Sequence, residues 1–376
     1  MSNFKLFIRN LIKAILQFCI LPILYNFYKK KNIHEKLVIF ADSKNDGIPF
    51  SLRAMYNTVK NTEKYNIKVC CTDYSKINIL EKIKAITNFM KLYANAKYVF
   101  ICDYFLPVSS CNKRKETKVI QLWHASGLQK KFGYDADDDL GKLNYVNPVK
   151  NFDFVSVSSE IMVDVITSNW KLSNEKVKAL GTSRSDIFFD KQYLKKCKIK
   201  FYNKYPNAIN KKIILWAPSF RGNGSDAKID GIEQILTLKE KLKDKYYFII
   251  KLHPRLQKKY DVNNCDIPTE KLYPVIDILI TDYSSVLYDY LLLNKYVIFY
   301  VPDYEEFIKT RGLYIDYQKE FEFPIVYNID ELYETICNYP YIADTKIKMY
   351  KNKFIKNNDG QVSKRIINYL EKIYGV

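Results

Sequence analysis

DILITDYSSVLYDYLLLN, Asp277–Asn294, reads as three pieces. Ile278–Thr281 is a short apolar, β-branched run of strand length. Asp282–Ser285 is a polar turn, and Val286–Asn294 is an apolar run of helical length. A buried strand that turns directly into a helix is the repeating half of a parallel sheet with crossover helices. The same pattern extends outward in both directions. Around this stretch stand KKIILWAPSF, YYFIIKLHP and YVIFYVPD. Upstream stand LVIFAD, KVCCTD, YVFICD, KVIQLWH, FDFVSVS and KVKALG, separated by helix-length segments such as Lys76–Ala94. A Lys-rich helical stretch, Asp190–Tyr205, leads to Pro206 between the two sets. The expectation is α/β: two Rossmann-like domains facing a cleft, 33–205 and 206–376, preceded by a separate segment, 1–32. No internal repeat or low-complexity tract interrupts them.

Composition narrows the partners. The chain has 376 residues, 48% hydrophobic and 15% aromatic, which is globular and long enough for large cores. Its net charge of +19 favours anionic partners, but the lysines are dispersed and no nucleic-acid-binding signature accompanies them. No nucleic-acid partner is therefore expected. Eight cysteines, none in a C-x-x-C pair and several in apolar runs, read as reduced buried thiols of the cytoplasm. No His/Asp/Glu cluster has metal spacing, and no Walker A pattern is present. Gly222–Ala227 matches G-x-G-x-x-A formally, without a helix to follow it.

The first residues differ from the rest. No acidic residue precedes Glu35, and Lys5, Arg9 and Lys13 share one helical face. Ala14–Tyr28 is free of charge, shorter than the roughly 20 residues of a spanning helix, and contains Pro22. An amphipathic helix on an anionic membrane surface fits it, with docking on the chain's own core as the alternative.

In parallel sheets ligands collect beyond the carboxyl ends of the strands. Here those ends carry His124-Ala-Ser-Gly, Pro218-Ser-Phe-Arg, His253-Pro and Asp282-Tyr-Ser-Ser. Two of three histidines at strand ends point to chemistry; either one alone reads equally as a bonded core histidine. Ser284 and Ser285 suit a phosphate or a helix cap. Asp289 suits a ligand hydroxyl or the helix dipole. Arg184 and Arg311, beside glycines or turns, suit anion binding or an ordinary surface position.

WHASG followed by LQKKFG, then WAPSFRG, KLHP, TDYSSVLYDYLLLNK, FYVPDYEEF and TRGLY together resemble the CDP-glycerol glycerophosphotransferase family of teichoic acid and capsule synthesis. The resemblance runs from about Asp103 to Arg365, and CNKRKETKVIQLWHASGLQKKFG is most similar to its glycerol-phosphate primase branch. It implies a GT-B fold, with the first domain on the acceptor side and the second binding CDP-glycerol. It implies transfer of one glycerol phosphate to a polyprenyl-diphosphate-linked disaccharide, with CMP released, by a peripheral protein on the cytoplasmic face of the bacterial membrane. His124 is then the base and His253 the partner of the phosphate or departing CMP. Donor contacts fall on Trp123, Ala125, Ser126, Gly127, Arg184, Ser219, Phe220, Lys251, Leu252, Ser284, Ser285 and Asp289, with Arg311 as a further candidate. Many members have His-Gly-Thr-Pro where this chain has His124-Ala-Ser-Gly. No cofactor or metal is expected, since arginine, histidine and a helix dipole can supply the charge. The alternatives are polymerisation or a CDP-ribitol donor, a nucleotide-sugar glycosyltransferase, and a non-catalytic basic membrane- or RNA-binding protein. Oligomeric state is not legible.

Overall fold

The computed structural model describes residues 8, 11–127, 129–136, 147–222, 227–257, 259–262, 265–338 and 344–375. Lys5, Arg9 and positions 223–226 of the glycine loop lie outside the described residues. The chain divides into two compact units. The first comprises Met1–His124, Asp139–Asp186 and Asn357–Val376; the second comprises Ala125–Asp138 and Ile187–Lys356.

The first unit holds six parallel strands: β1 (His34–Asp42), β2 (Asn66–Cys71), β3 (Ala96–Ile101), β4 (Lys118–Gln121), β5 (Phe154–Ser156) and β6 (Val177–Lys178), in the order β2-β1-β3-β4-β5-β6. All six residues of β3 are buried, which is why AKYVFI shows no polar alternation. One face of the sheet presents Val38, Phe40, Phe100, Ile120 and Phe154 to helical residues Leu52, Met55 and Val59. Full burial of each such side chain contributes about 1.5–3 kcal/mol.

The second unit repeats the order. Its strands are β7 (Lys212–Trp216), β8 (Tyr246–Ile250), β9 (Ile278–Thr281), β10 (Tyr296–Tyr300) and β11 (Ile325–Val326), all parallel, in the order β11-β10-β9-β7-β8. In both units the strand order reverses beside the first strand, so each sheet has one topological switch point: β1/β3 in the first and β7/β9 in the second.

This division differs from the linear one at 205/206. The first unit ends at Asp186, and the last segment of chain returns to it. The helix Val362–Tyr374 buries Val362, Ile366, Ile367 and Leu370 in the first core. The Asp186 carboxylate accepts from Val362 N at 3.0 Å and Ser363 N at 2.8 Å, satisfying amides at the head of that helix. Gly181 sits at φ +100°, and a Cβ there would come within 2.6 Å of the Asn357 carbonyl oxygen. Amphipathic periodicity reveals that a helix has a buried face, but not which sheet covers it.

The N-terminal helix α1, Leu11–Tyr28, contains a π-helical turn at Leu16–Ile20. By length and composition it is apolar enough to cross a membrane. One of its faces is docked: Gln17, Leu21 and Tyr25 are buried, and Tyr25 packs on Tyr93 at 5.2 Å. The Tyr25 hydroxyl accepts from Arg114 N at 2.9 Å. The opposite face exposes Leu11, Ile12, Ile15, Phe18, Ile23 and Phe27.

Candidate functional site

His124 stands just beyond β4, next to the switch point of the first sheet. The sequence suggests a strand running to the histidine, but the strand stops at Gln121 and Trp123 adopts φ +55°. A left-handed tryptophan is strained and persists only where its surroundings hold it. Here Trp123 N donates to Gln121 Oε1 at 2.9 Å, and the indole packs edge-on against Trp170 at 4.9 Å and Tyr104 at 5.5 Å. Trp170 Nε1 donates to the Tyr104 hydroxyl at 2.8 Å. The bent backbone sets the imidazole against the Trp123 ring, 4.1 Å between centroids.

His124 Nδ1 lies 3.2 Å from the Cys102 carbonyl oxygen. A carbonyl only accepts, so Nδ1 carries the proton and the neutral ring keeps its lone pair on Nε2. The ring retains a solvent-facing edge, yet crowding by protein strips part of its hydration. That desolvation lowers the pKa below the ordinary imidazole value; Asp103 opposes the shift, while Lys44 and Arg184 reinforce it. Lys44 pairs with Asp103, and Arg184 Nη1 donates to the His124 carbonyl with its guanidinium 4.9 Å above the Phe50 ring. A neutral base beside an arginine suits proton abstraction next to an anion.

The second unit has its own cluster at the β7/β9 switch point. Trp216 pairs with Ile280, so Ser219 and Asp282 emerge on the same edge of the sheet. Ser219 donates to Asp282 Oδ1 through its backbone N at 2.8 Å and its hydroxyl at 2.7 Å. Arg221 Nη1 donates to the other oxygen of Asp282 at 2.8 Å, while its Nε and Nη2 form a two-pronged pair with Asp303. The guanidinium lies 4.9 Å over Tyr283 and 5.0 Å over Phe307, rings that stack at 3.7 Å. Burial pulls the Arg221 pKa down, but the two carboxylates outweigh it and hold it above its usual value. This fixed SFR turn carries Phe220, which packs on the exposed His253 ring at 4.8 Å and lies under Lys130 at 5.0 Å. Lys251 donates to the Cys265 carbonyl at 2.9 Å, and Leu252 is buried beneath.

The small residues after His124 are packed. Ser126 is buried and donates to the buried Asp289 at 2.5 Å. A Cβ on Gly127 would meet the Tyr288 ring at 2.1 Å. The next residues form a β-bridge, Lys130 with Leu313, and Arg311 Nε donates to the Lys131 carbonyl at 2.8 Å. The helix after TDYSS is only Val286–Leu291, shorter than its apolar run suggests; Ser285 occupies its N-cap, and Val286 N lies 3.5 Å from Ser284 Oγ.

Every candidate site residue thus lies among the described residues. The first unit brings Trp123, His124 and Arg184 together. The second brings Ser219, Phe220 and His253 together, and separately Ser126, Gly127 and Asp289. Sequence reading missed Tyr104, Trp170, Arg221, Asp282 and Asp303 as supporting residues. Their signal was present: Asp282 and Asp303 close apolar strand runs, as the histidines do. Among the described residues, no three His, Cys, Asp or Glu side chains converge as a metal site.

Two parallel sheets of the 2-1-3-4-5 type, each with polar residues at its switch point, define a doubly wound α/β architecture with ligand-binding edges at the carboxyl ends of its strands. Residues 23–372 match the family model of CDP-Glycerol:Poly(glycerophosphate) glycerophosphotransferase, and the chain belongs to that family of teichoic acid synthesis. It is 31% identical over 355 residues to the teichoic acid ribitol-phosphate primase of Bacillus spizizenii, covering 90% of this chain and 91% of that one. It is 30% identical over 315 residues to the teichoic acid glycerol-phosphate primase of Bacillus subtilis, covering 79% and 78%. In structure it resembles the wall teichoic acid polymerase TagF, with a TM-score of 0.73 at 18% identity over 99% of this chain and 97% of that one. The fold is GT-B-like.

Proposed function

We propose that the protein transfers glycerol phosphate from CDP-glycerol to a hydroxyl of a polyprenyl-diphosphate-linked disaccharide, one unit per acceptor, as a primase. The observation that carries this reading is the protonation pattern of His124. Its Nδ1–H is committed to the Cys102 carbonyl, so Nε2 is the free base, and desolvation keeps it neutral near pH 7. The acceptor hydroxyl gives its proton to Nε2 as its oxygen bonds to the glycerol-bearing phosphorus; the bond from that phosphorus to the CMP oxygen breaks, and CMP leaves with the electron pair. Arg184, beside His124, offers positive charge to the phosphoryl oxygens. His253, Ser284 and Ser285 serve the diphosphate and the departing CMP. Asp289 orients Ser126 and, through it, the turn that follows His124. Likeness along most of the length holds for primases and for a poly(glycerol phosphate) polymerase alike, so single addition rests on the product assay below.

Similarity to the ribitol-phosphate primase supports a second reading, with CDP-ribitol as donor. Incubation of the full chain with lipid-linked disaccharide and either CDP-glycerol or CDP-ribitol, followed by mass spectrometry of the lipid, tests both. A single glycerol-phosphate increment is expected. A ribitol increment supports the second reading, a ladder of increments means polymerisation, and no increment from either donor overturns both.

The protein acts peripherally, on the cytoplasmic face of the bacterial membrane, through the exposed face of α1. A spanning arrangement would require α1 to leave Tyr93 and Arg114, against which Tyr25 is seated. Extraction at alkaline pH should release the protein from membranes; retention would mean that α1 spans.

A further inference from the structure

The turn that seats His124 is built on Gln121, the last residue of β4. Gln121 pairs with Ile101 of β3, and Leu122 N donates to the Ile101 carbonyl at 2.9 Å. A parallel ladder repeats every two residues, so the next rung would carry the His124 amide to the Asp103 carbonyl. A strand continued in that way would also set the His124 side chain on the face of Ile120 and Leu122. Both are buried in the core of the first unit, with Val38, Phe40 and Phe100. A histidine on that packed face would be a core residue.

The strand stops short of the rung, and the Gln121 side chain replaces it. The carboxamide is wholly buried; Nε2 donates to the Asp103 carbonyl at 3.2 Å, and Oε1 accepts from Trp123 N at 2.9 Å. A carbonyl only accepts and an amide N–H only donates, so the two bonds fix which end of the carboxamide is which. One side chain thus pairs the carbonyl that the lost rung leaves open and the amide of the left-handed Trp123.

The effect reaches the imidazole. Gln121 ties down Asp103, and the preceding carbonyl, that of Cys102, is the one that His124 Nδ1 meets at 3.2 Å. Both bonds run from the exit of β4 to neighbouring peptide groups at the exit of β3. Packing of the Trp123 ring on Trp170 and Tyr104 is non-directional by comparison. The bonds of Gln121 set the direction in which the backbone leaves the sheet.

We infer that Gln121 is a positioning residue for the transfer: it holds the turn at Trp123 so that His124 Nδ1 stays on the Cys102 carbonyl and Nε2 remains the free base. The inference rests on the reading of His124 as general base and adds the group that keeps it in that tautomer.

The test uses the full-length protein and two variants. Gln121→Met keeps the length of the side chain and removes both bonds. Gln121→Glu keeps an acceptor for the Trp123 amide and, when ionised, removes the donor. The chain has three histidines, so nitrogen-15 NMR of histidine-labelled protein follows each imidazole, His124 being the signal lost in His124→Ala. The parent should show His124 with its proton on Nδ1, and either Gln121 variant should show a mixture of the two tautomers. Turnover of CDP-glycerol with the lipid-linked disaccharide should fall about tenfold or more in Gln121→Met, with the KM for the donor within about twofold of the parent's. In a His124→Ala background the same change should cost less than about twofold, because no base is left to misplace. An Nδ1 proton retained in both variants overturns the inference, whatever the activity. A loss as large without His124 as with it also overturns it, making Gln121 a general support of the fold, and failure of both variants to fold does the same. No turnover by the parent, or parental turnover in His124→Ala, overturns the reading of His124 as base and the part of Gln121 in the transfer with it. The tautomer measurement then decides by itself whether Gln121 seats the ring.

Discussion

Replacing Gly127 by alanine separates two explanations for the small residues behind His124. If they make room for a bound donor, an added methyl lowers donor affinity and leaves the fold alone. The structure gives the other answer. The new Cβ would lie 2.1, 2.3 and 2.4 Å from three atoms of the Tyr288 ring, over a full ångström inside ordinary contact. Tyr288 is completely buried, and its ring is tilted against Phe354 at 5.8 Å, so it cannot swing into solvent. Overpacking of this kind costs about 1–3 kcal/mol. For a unit of this size that corresponds to a fall of roughly 2–12 °C in the melting temperature. Calorimetric melting of Gly127→Ala, with Gly127→Ala/Tyr288→Leu alongside, measures it. The smaller leucine should restore part of the loss beyond the sum of the two single changes. A melting temperature within one degree of the parent, with donor affinity lost instead, would refute the packing account.

Other consequences concern the chemistry and the two cores. His124→Ala should lower turnover by about a hundredfold or more with the fold intact; near-parental turnover would remove it as the base. Because its pKa is lowered, the base stays deprotonated to more acidic pH, so the acid limb of kcat/KM should lie below pH 6.5. The same shift contributes stability that is full above the unfolded pKa and lost as pH falls through the folded one; a limb above 6.5 would contradict the desolvation. Arg221→Met should destabilise the second unit by about 3–5 kcal/mol in urea unfolding, since the buried Asp282 and the half-buried Asp303 lose their shared cation. A change under 1 kcal/mol would show that the pair is not held as described. Removing Asn357–Val376 should make the first sheet, not the second, sensitive to proteolysis; the reverse result would contradict the return of that segment.

The parts of the fold carried by local chemistry were legible. Runs such as LVIFAD, IILWA and ILIT announce buried parallel strands because both faces are covered. His124, Ser219, His253 and Asp282 follow such runs, and each stands at a carboxyl edge. What escaped reading depends on long-range choices. Strand order is set by which crossover helix lands on which face, and no run of residues encodes that. The helix at Val362–Tyr374 could cover either sheet by its periodicity alone. Trp123 reads as strand because tryptophan favours strands, and only its aromatic clamp with Tyr104 and Trp170 accounts for the left-handed turn. Arg221 reads as a loop arginine, because its two carboxylates are 61 and 82 residues away.

The three-segment construction of the first unit has a consequence for the order of events on the ribosome. Its six strands are complete once Lys178 has emerged, but the helix that covers one face of them lies beyond Ile187–Lys356. At about 5–20 residues per second, synthesis of those roughly 170 residues takes about 10–30 s. During that interval the face is covered by Leu52, Met55 and Val59 without Val362, Ile366, Ile367 and Leu370, and Phe154 lacks its ring contact with Tyr369 at 5.3 Å. The first sheet therefore gains its second covering helix after the whole of Ile187–Lys356 has been made.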